Sequence, residues 1–164
     1  MKKTITRNDL QTLQGIFNFY LQQVEKMKDK PKVPFELSYG LSRNESRIEE
    51  EIKAIKEGSK CLDDADFKKR NLEIVGLYCV KDANNQPILK DGFYQFTPAN
   101  ANLYNELCNK LKEEYPEIKA FDTFLTQEVE IDFYPIKLSQ SILSMDMFPS
   151  WVKLLTKYLI VDED

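Results

Sequence analysis

The side chains in this chain with chemical potential are carboxylates, and they fall into three groups. Glu49-Glu50-Glu51 and Asp63-Asp64-Asp66 are near-continuous runs, while Glu128, Glu130 and Asp132 alternate with Val129, Ile131 and Phe133. Clustered carboxylates serve general acid–base catalysis, hold divalent cations or attract a basic partner. Each use asks for more than the acids themselves. Alternating acids line one side of a strand, whereas divalent ions draw ligands from a sharply turned loop or from converging elements, so the plain reading of 128–132 is a solvent face. The chain contains no histidine, which removes the commonest general base and metal ligand and with it the Ser-His, Cys-His and HExxH arrangements. No glycine-rich phosphate loop is present. Cys61, Cys79 and Cys108 are odd in number and widely spaced, as expected of reduced, half-buried thiols and not of a disulfide framework, metal site or redox pair. No catalytic, cofactor-binding or metal-ligating residue is assigned. A non-enzymatic protein without a small-molecule substrate is expected; a deep pocket holding two of these acids with raised pKa would reverse that expectation.

The elements that carry these groups read as mainly helical. A chain of 164 residues lies in the single-domain range, and one domain spanning 1–164 is expected. With 42% hydrophobic and 12% aromatic residues it can build a core, while 30% charged residues and a mean hydropathy of -0.49 imply a wide solvated surface. Amphipathic helices satisfy both. A net charge of -4 supplies no basic field for nucleic acid or an anionic membrane. The start MKKTITRNDL has no apolar stretch behind its lysines, and no window approaches the roughly 18 apolar residues of a membrane span. A soluble, non-exported protein is expected.

In chain order, a short extended start closes at Ile5, and Thr6-Arg7-Asn8-Asp9 reads as a capping box opening a helix. Leu10, Leu13, Phe17, Leu21, Val24 and Met27 recur at threes and fours, with Ile16, Phe19 and Tyr20 widening the stripe. Pro31 and Pro34 should stop this helix near Asp29. The Lys28–Lys30 turn reads as cations at a helix C-terminus rather than an anion site. A second helical pattern starts at Phe35 or Leu37 and holds Leu41, Ile48, Ile52, Ile55 and Leu62 on one face, which should pack on the first helix. Gly40, Gly58 and Gly76 are 18 residues apart, on one side of an unbroken helix and able to admit a close crossing. Gly58-Ser59 and Asp63-Asp64 favour a bend instead, because glycine within a helix costs about 1 kcal/mol against alanine. The pattern resumes through Phe67, Leu72, Val75 and Cys79 and should run to about Tyr78.

The turn formers Asp82–Pro87 and Asp91-Gly92 flank short strands at Ile88-Leu89 and Phe93–Phe96, a small hairpin. Thr97-Pro98 opens a further helix with Thr as N-cap, lined by Leu103, Leu107, Leu111 and Tyr115, with Tyr104 and Cys108 alongside, until Pro116. A helical turn or two over 118–126 turns Phe121, Phe124 and Leu125 inward. The period then changes to two at Glu128–Phe133, the clearest strand. After an irregular stretch, Asp146 or Phe148-Pro149 starts a last helix carrying Trp151, Leu154, Leu155, Tyr158 and Leu159, followed by the acidic tail Asp162–Asp164. Trp151 reads as core packing or as an interface anchor. The expected class is α+β, mainly α: an antiparallel framework of four to five helices with a small β-hairpin and one further short strand.

The ordered succession of an N-terminal amphipathic helix, Val33-Pro34-Phe35-Glu36-Leu37-Ser38-Tyr39, a long Glu/Lys helix, a KDANNQP tip, a returning helix, Glu128-Val129-Glu130-Ile131-Asp132 and a small C-terminal helix resembles a family of short, functionally uncharacterised tailed-bacteriophage proteins. The resemblance covers most of the chain; the Gly58–Asp66 interruption and the longer hairpin segment depart from it. It implies action in the cytoplasm of an infected bacterium or in the virion, and it brings no catalytic residues. Two roles follow. The first is a structural, assembly or accessory protein whose spare apolar helix faces contact copies of itself or a neighbouring component. The second is an inhibitor or adaptor binding one host protein, for example a defence nuclease, through an acidic surface. Candidate partner-binding residues are Glu49, Glu50, Glu51, Asp63, Asp64, Asp66, Glu128, Glu130, Asp132 and Trp151.

Overall fold

A computed structural model describes residues 1–26, 33–90, 93–143 and 148–161. Met27, the Lys28–Lys30 turn, Pro31, Asp91-Gly92, Asp146 and the tail Asp162–Asp164 lie outside the described residues, as does the Val24 side chain. The protein is mainly helical with small sheets, an α+β arrangement. The contacts gather into two units, Met1–Glu57 with Phe124–Asp164, and Gly58–Thr123.

In the first unit, β1 (Lys2–Thr6) leads directly into α1 (Arg7–Lys26). The switch occurs at Thr6, whose Oγ1 accepts the Asp9 amide at 3.1 Å and so satisfies one orphan donor of the first turn. The Asp9 carboxylate takes up a tertiary role, accepting the Tyr158 hydroxyl at 2.8 Å. The α1 stripe buries Leu10, Leu13, Ile16, Phe17 and Tyr20. Phe19, expected on its edge, is 43% exposed.

Helix α2 (Phe35–Gly58) buries Leu37, Leu41, Ile48, Ile52 and Ile55 and is tied to the start of α1 by Arg7 and Glu51. Its one buried polar side chain is Asn44, fully enclosed. Asn44 Nδ2 donates to the carbonyls of Gly40 and Tyr134 at 2.9 Å each, and its Oδ1 accepts the Tyr134 amide at 2.7 Å. One amide thus does for residue 134 what a neighbouring strand would do. One turn earlier, Gly40 lets α2 approach Ile136: a Cβ there would lie 2.7 Å from Ile136 Cδ1. Position 40 is therefore a close approach, but to the extended segment at Ile136 and not a crossing of helices, and a Cβ at Gly76 meets open space.

The strand expected at 128–133 is β4 (Glu128–Asp132), and its antiparallel partner is β1 in the register Lys2↔Asp132, Thr4↔Glu130 and Thr6↔Glu128. Ile5, Ile131 and Phe133 are buried from this pair. The irregular stretch expected after Pro135 instead contains β5 (Ile136–Lys137), paired in parallel with β6 (Ile160–Val161), and the short α6 (Gln140–Leu143). Helix α7 (Pro149–Tyr158) begins at Phe148-Pro149 and buries Leu155 and Tyr158, with Leu159 after it.

The second unit is a helical hairpin. After α2 the chain makes a 3₁₀ turn, Ser59–Asp63, and re-enters a helix at α3 (Ala65–Tyr78), with Asp64 Oδ1 accepting the Phe67 amide at 2.7 Å. The helical pattern is interrupted between Gly58 and the paired aspartates: Gly58 is still helical, and the backbone leaves the helix at Asp64. Helix α4 (Pro98–Glu113) runs antiparallel to α3: Asn100 bonds the Tyr78 carbonyl, Cys108 the Asn71 side chain, and Glu114 Arg70. Thr97 caps α4 through the Asn100 amide at 3.3 Å. Between them lie β2 (Leu89–Lys90) and β3 (Phe93–Tyr94), antiparallel. They follow a turn in which Asp82 Oδ1 accepts the amides of Asn84 and Gln86 and Asn85 adopts φ 62, a left-handed conformation asparagine tolerates well. Pro116 starts α5 (Pro116–Thr126). The core holds Phe67, Leu111 and Ile118, with Leu62 and Tyr115 packed on it.

Against the four to five helices expected, the described residues form seven, α1 to α7, shared between the two units. Two expected core leucines are outside: Leu72 is 53% and Leu103 46% exposed. Leu72 follows Phe67 by five residues, which turns it about 140° around the helix; Asn71 and Ile74 take the inward positions.

Candidate functional site

The three acidic groups meet different fates. In the α2 group, Glu49 and Glu50 are exposed, whereas Glu51 pairs with Arg7 Nε at 2.9 Å. Arg7 lies 4.1 Å over the Phe124 ring and donates to Gln127 Oε1 at 3.0 Å, so Glu51 completes a structural bracket. Glu49 also lines an open groove of about 700 Å³ with Gln14, Glu45, Ile52, Lys53 and Lys56.

The aspartates at the 3₁₀ turn serve local folding. Asp63 pairs with Lys68 at 2.6 Å, and that hydrogen bond holds its carboxyl below the usual range. Asp64 is the cap of α3, and Asp66 accepts the Tyr115 hydroxyl, which pushes the Tyr115 pKa up. The β4 acids do share one face, opposite Lys2 and two threonines of β1. Glu130 pairs with Lys2 at 2.8 Å, while Asp132 meets the Met1 amino group at 2.6 Å and Arg47 at 3.8 Å. The hydrogen bond from that amino group lowers the Asp132 pKa. Glu128 is exposed. Depressed carboxyls are good ion-pair partners and poor proton donors at neutral pH.

The cysteines are free thiols. Burial, then the nearby Glu117, push the Cys61 thiol up, away from the thiolate that nucleophilic or redox chemistry needs. Cys108 donates to Asn71 Oδ1 at 3.2 Å between α3 and α4. Burial, helped by Cys108, pushes the neighbouring Tyr104 hydroxyl up to about 12. Among the described residues no group of three or more His, Cys, Asp or Glu is placed to hold a metal ion, and no helix is long and apolar enough to cross a membrane.

Trp151 is half-buried at the centre of an aromatic cluster joining α1 and α7. Its ring packs edge-on against Phe148 at 5.0 Å, Phe19 at 5.1 Å and Tyr20 at 5.8 Å. Tyr20 is buried, but Phe148 is 62% exposed, and Phe19 and Val152 are also open to solvent. One side of Trp151 packs on Tyr20, as the core reading expects, and the rim of Phe19, Phe148 and Val152 around it is exposed. A second exposed pair stands at the start of α2, where Phe35 stacks on Tyr39 at 5.8 Å. Asn44 and the exposed rim residues Phe148 and Val152 were not singled out in the sequence. A polar residue in an apolar stripe was the available signal for Asn44; for the rim there was none, because tertiary packing decides which aromatic stays outside. No protein-family model matches the chain, and neither a curated protein nor a solved structure matches it.

Proposed function

We propose that this is a non-enzymatic phage protein, structural, assembly or accessory in role, acting through protein–protein contacts in the infected cell or the virion. The observation that carries the reading is the aromatic rim around Trp151. A half-buried Trp ringed by exposed Phe and Val on two packed helices makes the kind of anchor that dominates protein interfaces, and contiguous exposed apolar surface is uncommon without a partner. Mass spectrometry of purified particles tests the structural form: the chain is expected in them, at a copy number that the pair F148S and V152E lowers. A chain absent from particles, together with an F148S/V152E variant that keeps full biological activity, would falsify the reading.

The alternative, an inhibitor or adaptor on a basic host protein such as a defence nuclease, is favoured by the exposed Glu49, Glu50 and Glu128. It ranks second because Glu51, Asp63, Asp64, Asp66, Glu130 and Asp132 are engaged within the chain. Replacing Glu49 and Glu50 by glutamine separates the two, since only the acidic reading loses binding by that change.

A further inference from the structure

The outer side of α3 has the form of half an interface. Ala65, Lys68, Lys69 and Leu72 are spaced i, i+3, i+4 and i+7, and with Glu73 they enclose a shallow hollow on the helix surface. Four residues at that spacing form the hole that receives a knob in coiled-coil packing. Lys68 has its ammonium drawn to Asp63 at 2.6 Å, so its stem walls the hollow while its charge lies to the side. Leu72, 53% exposed, is a knob on the same helix that carries the hole. One turn on, a Cβ at Gly76 would meet nothing within 4 Å, leaving room for a neighbouring backbone.

We infer that α3 pairs antiparallel with α3 of a second copy of this chain, Leu72 of each entering the hollow of the other. Charge selects the occupant and the direction. Within the hollow a cation, Lys69, lies one turn N-terminal to an anion, Glu73. Antiparallel alignment about the level of Lys69 to Leu72 sets each Lys69 against the other copy's Glu73, whereas parallel alignment sets like against like. The surface is complementary to itself, the requirement of a two-fold contact. A single pair of 14-residue helices is at the small end of specific interfaces, so the association is weak and concentration-dependent. It uses none of the residues around Trp151 and stands or falls separately from the proposed function.

Sedimentation velocity on the full chain, from tens of micromolar to millimolar, tests it. The mass is expected to rise from 19.2 kDa toward twice that value. L72D is expected to weaken association at least tenfold with an unchanged circular dichroism spectrum, while L77D, at another exposed leucine of α3, leaves it intact. K69E alone and E73K alone are each expected to stay monomeric, and an equimolar mixture of the two to dimerise, because the mixed pair restores both contacts. A chain monomeric throughout the range, a dimer indifferent to L72D, or a mixture no better than its components overturns the inference.

Discussion

Asn44 shows how one side chain can set the position of a chain segment. Its fully buried amide supplies both hydrogen bonds that the half-buried backbone at Tyr134 needs. Asn44→Leu removes both partners while leaving the Tyr134 N–H and C=O in place, and each buried group so orphaned costs about 1–3 kcal/mol. A fall of about 2–5 kcal/mol in urea-unfolding stability is therefore expected; a loss under about 0.5 kcal/mol would mean that water replaces the amide. Arg7 acts similarly through Glu51, Gln127 and the Phe124 ring. Arg7→Met keeps the stem but leaves Glu51 uncompensated, and about 1–3 kcal/mol is expected to be lost, with Arg7→Lys recovering only part because an ammonium cannot serve both acceptors in the fork geometry. Neither residue was legible as structural in advance. Asn44 sits in an apolar stripe where any small polar residue can sit, and Arg7 lies within a pattern whose cap residues drew attention instead.

At the scale of elements, helix starts were the most legible features, because their causes are local. Thr6 and Thr97, expected as caps, each accept an amide three residues on, as side-chain geometry at a helix start dictates, and Asp64, read from the sequence only as part of a break, does the same for α3. Asp64→Ala is expected to cost about 1 kcal/mol and to loosen the first turn of α3, seen as faster amide exchange at Asp66 and Phe67. Strand β4 was legible for a similar reason, its period of two; β5 and β6 were not, since two-residue strands carry no period and exist only through their pairing. The approach of α2 to β5 gives an element-scale prediction. Gly40→Ala introduces a Cβ 2.7 Å from Ile136 Cδ1 and is expected to cost about 1–3 kcal/mol as overpacking. Adding Ile136→Ala makes room for it, so the double variant should be more stable than additivity predicts; strict additivity would show that the two positions do not touch.

At the scale of the whole molecule, ion pairs distribute over the surface and make a modest, pH-dependent contribution. Lys68, Lys110 and Arg70 hydrogen-bond to Asp63, Glu106 and Glu114 and hold those carboxyls below their ordinary values. A depressed carboxyl contributes stability that is complete above its unfolded pKa and is lost as pH falls through the folded one. The urea midpoint should therefore be level near neutral pH and decline below about pH 4, by a small amount because these pairs are exposed and screened by salt. A midpoint that rises toward pH 3 would contradict it. The sequence by itself determined what is local or statistical: the α+β class, the caps at Thr6 and Thr97, the interruption after Gly58, the hairpin at 88–96 and the alternation at 128–133. Only the tertiary structure decided that β1 pairs with β4, that most of the acids are engaged within the chain, and that Leu72, Phe148 and Val152 remain outside. Those outcomes depend on which distant residues arrive at the same place, and amphipathic patterns state that a face will be covered without stating by what.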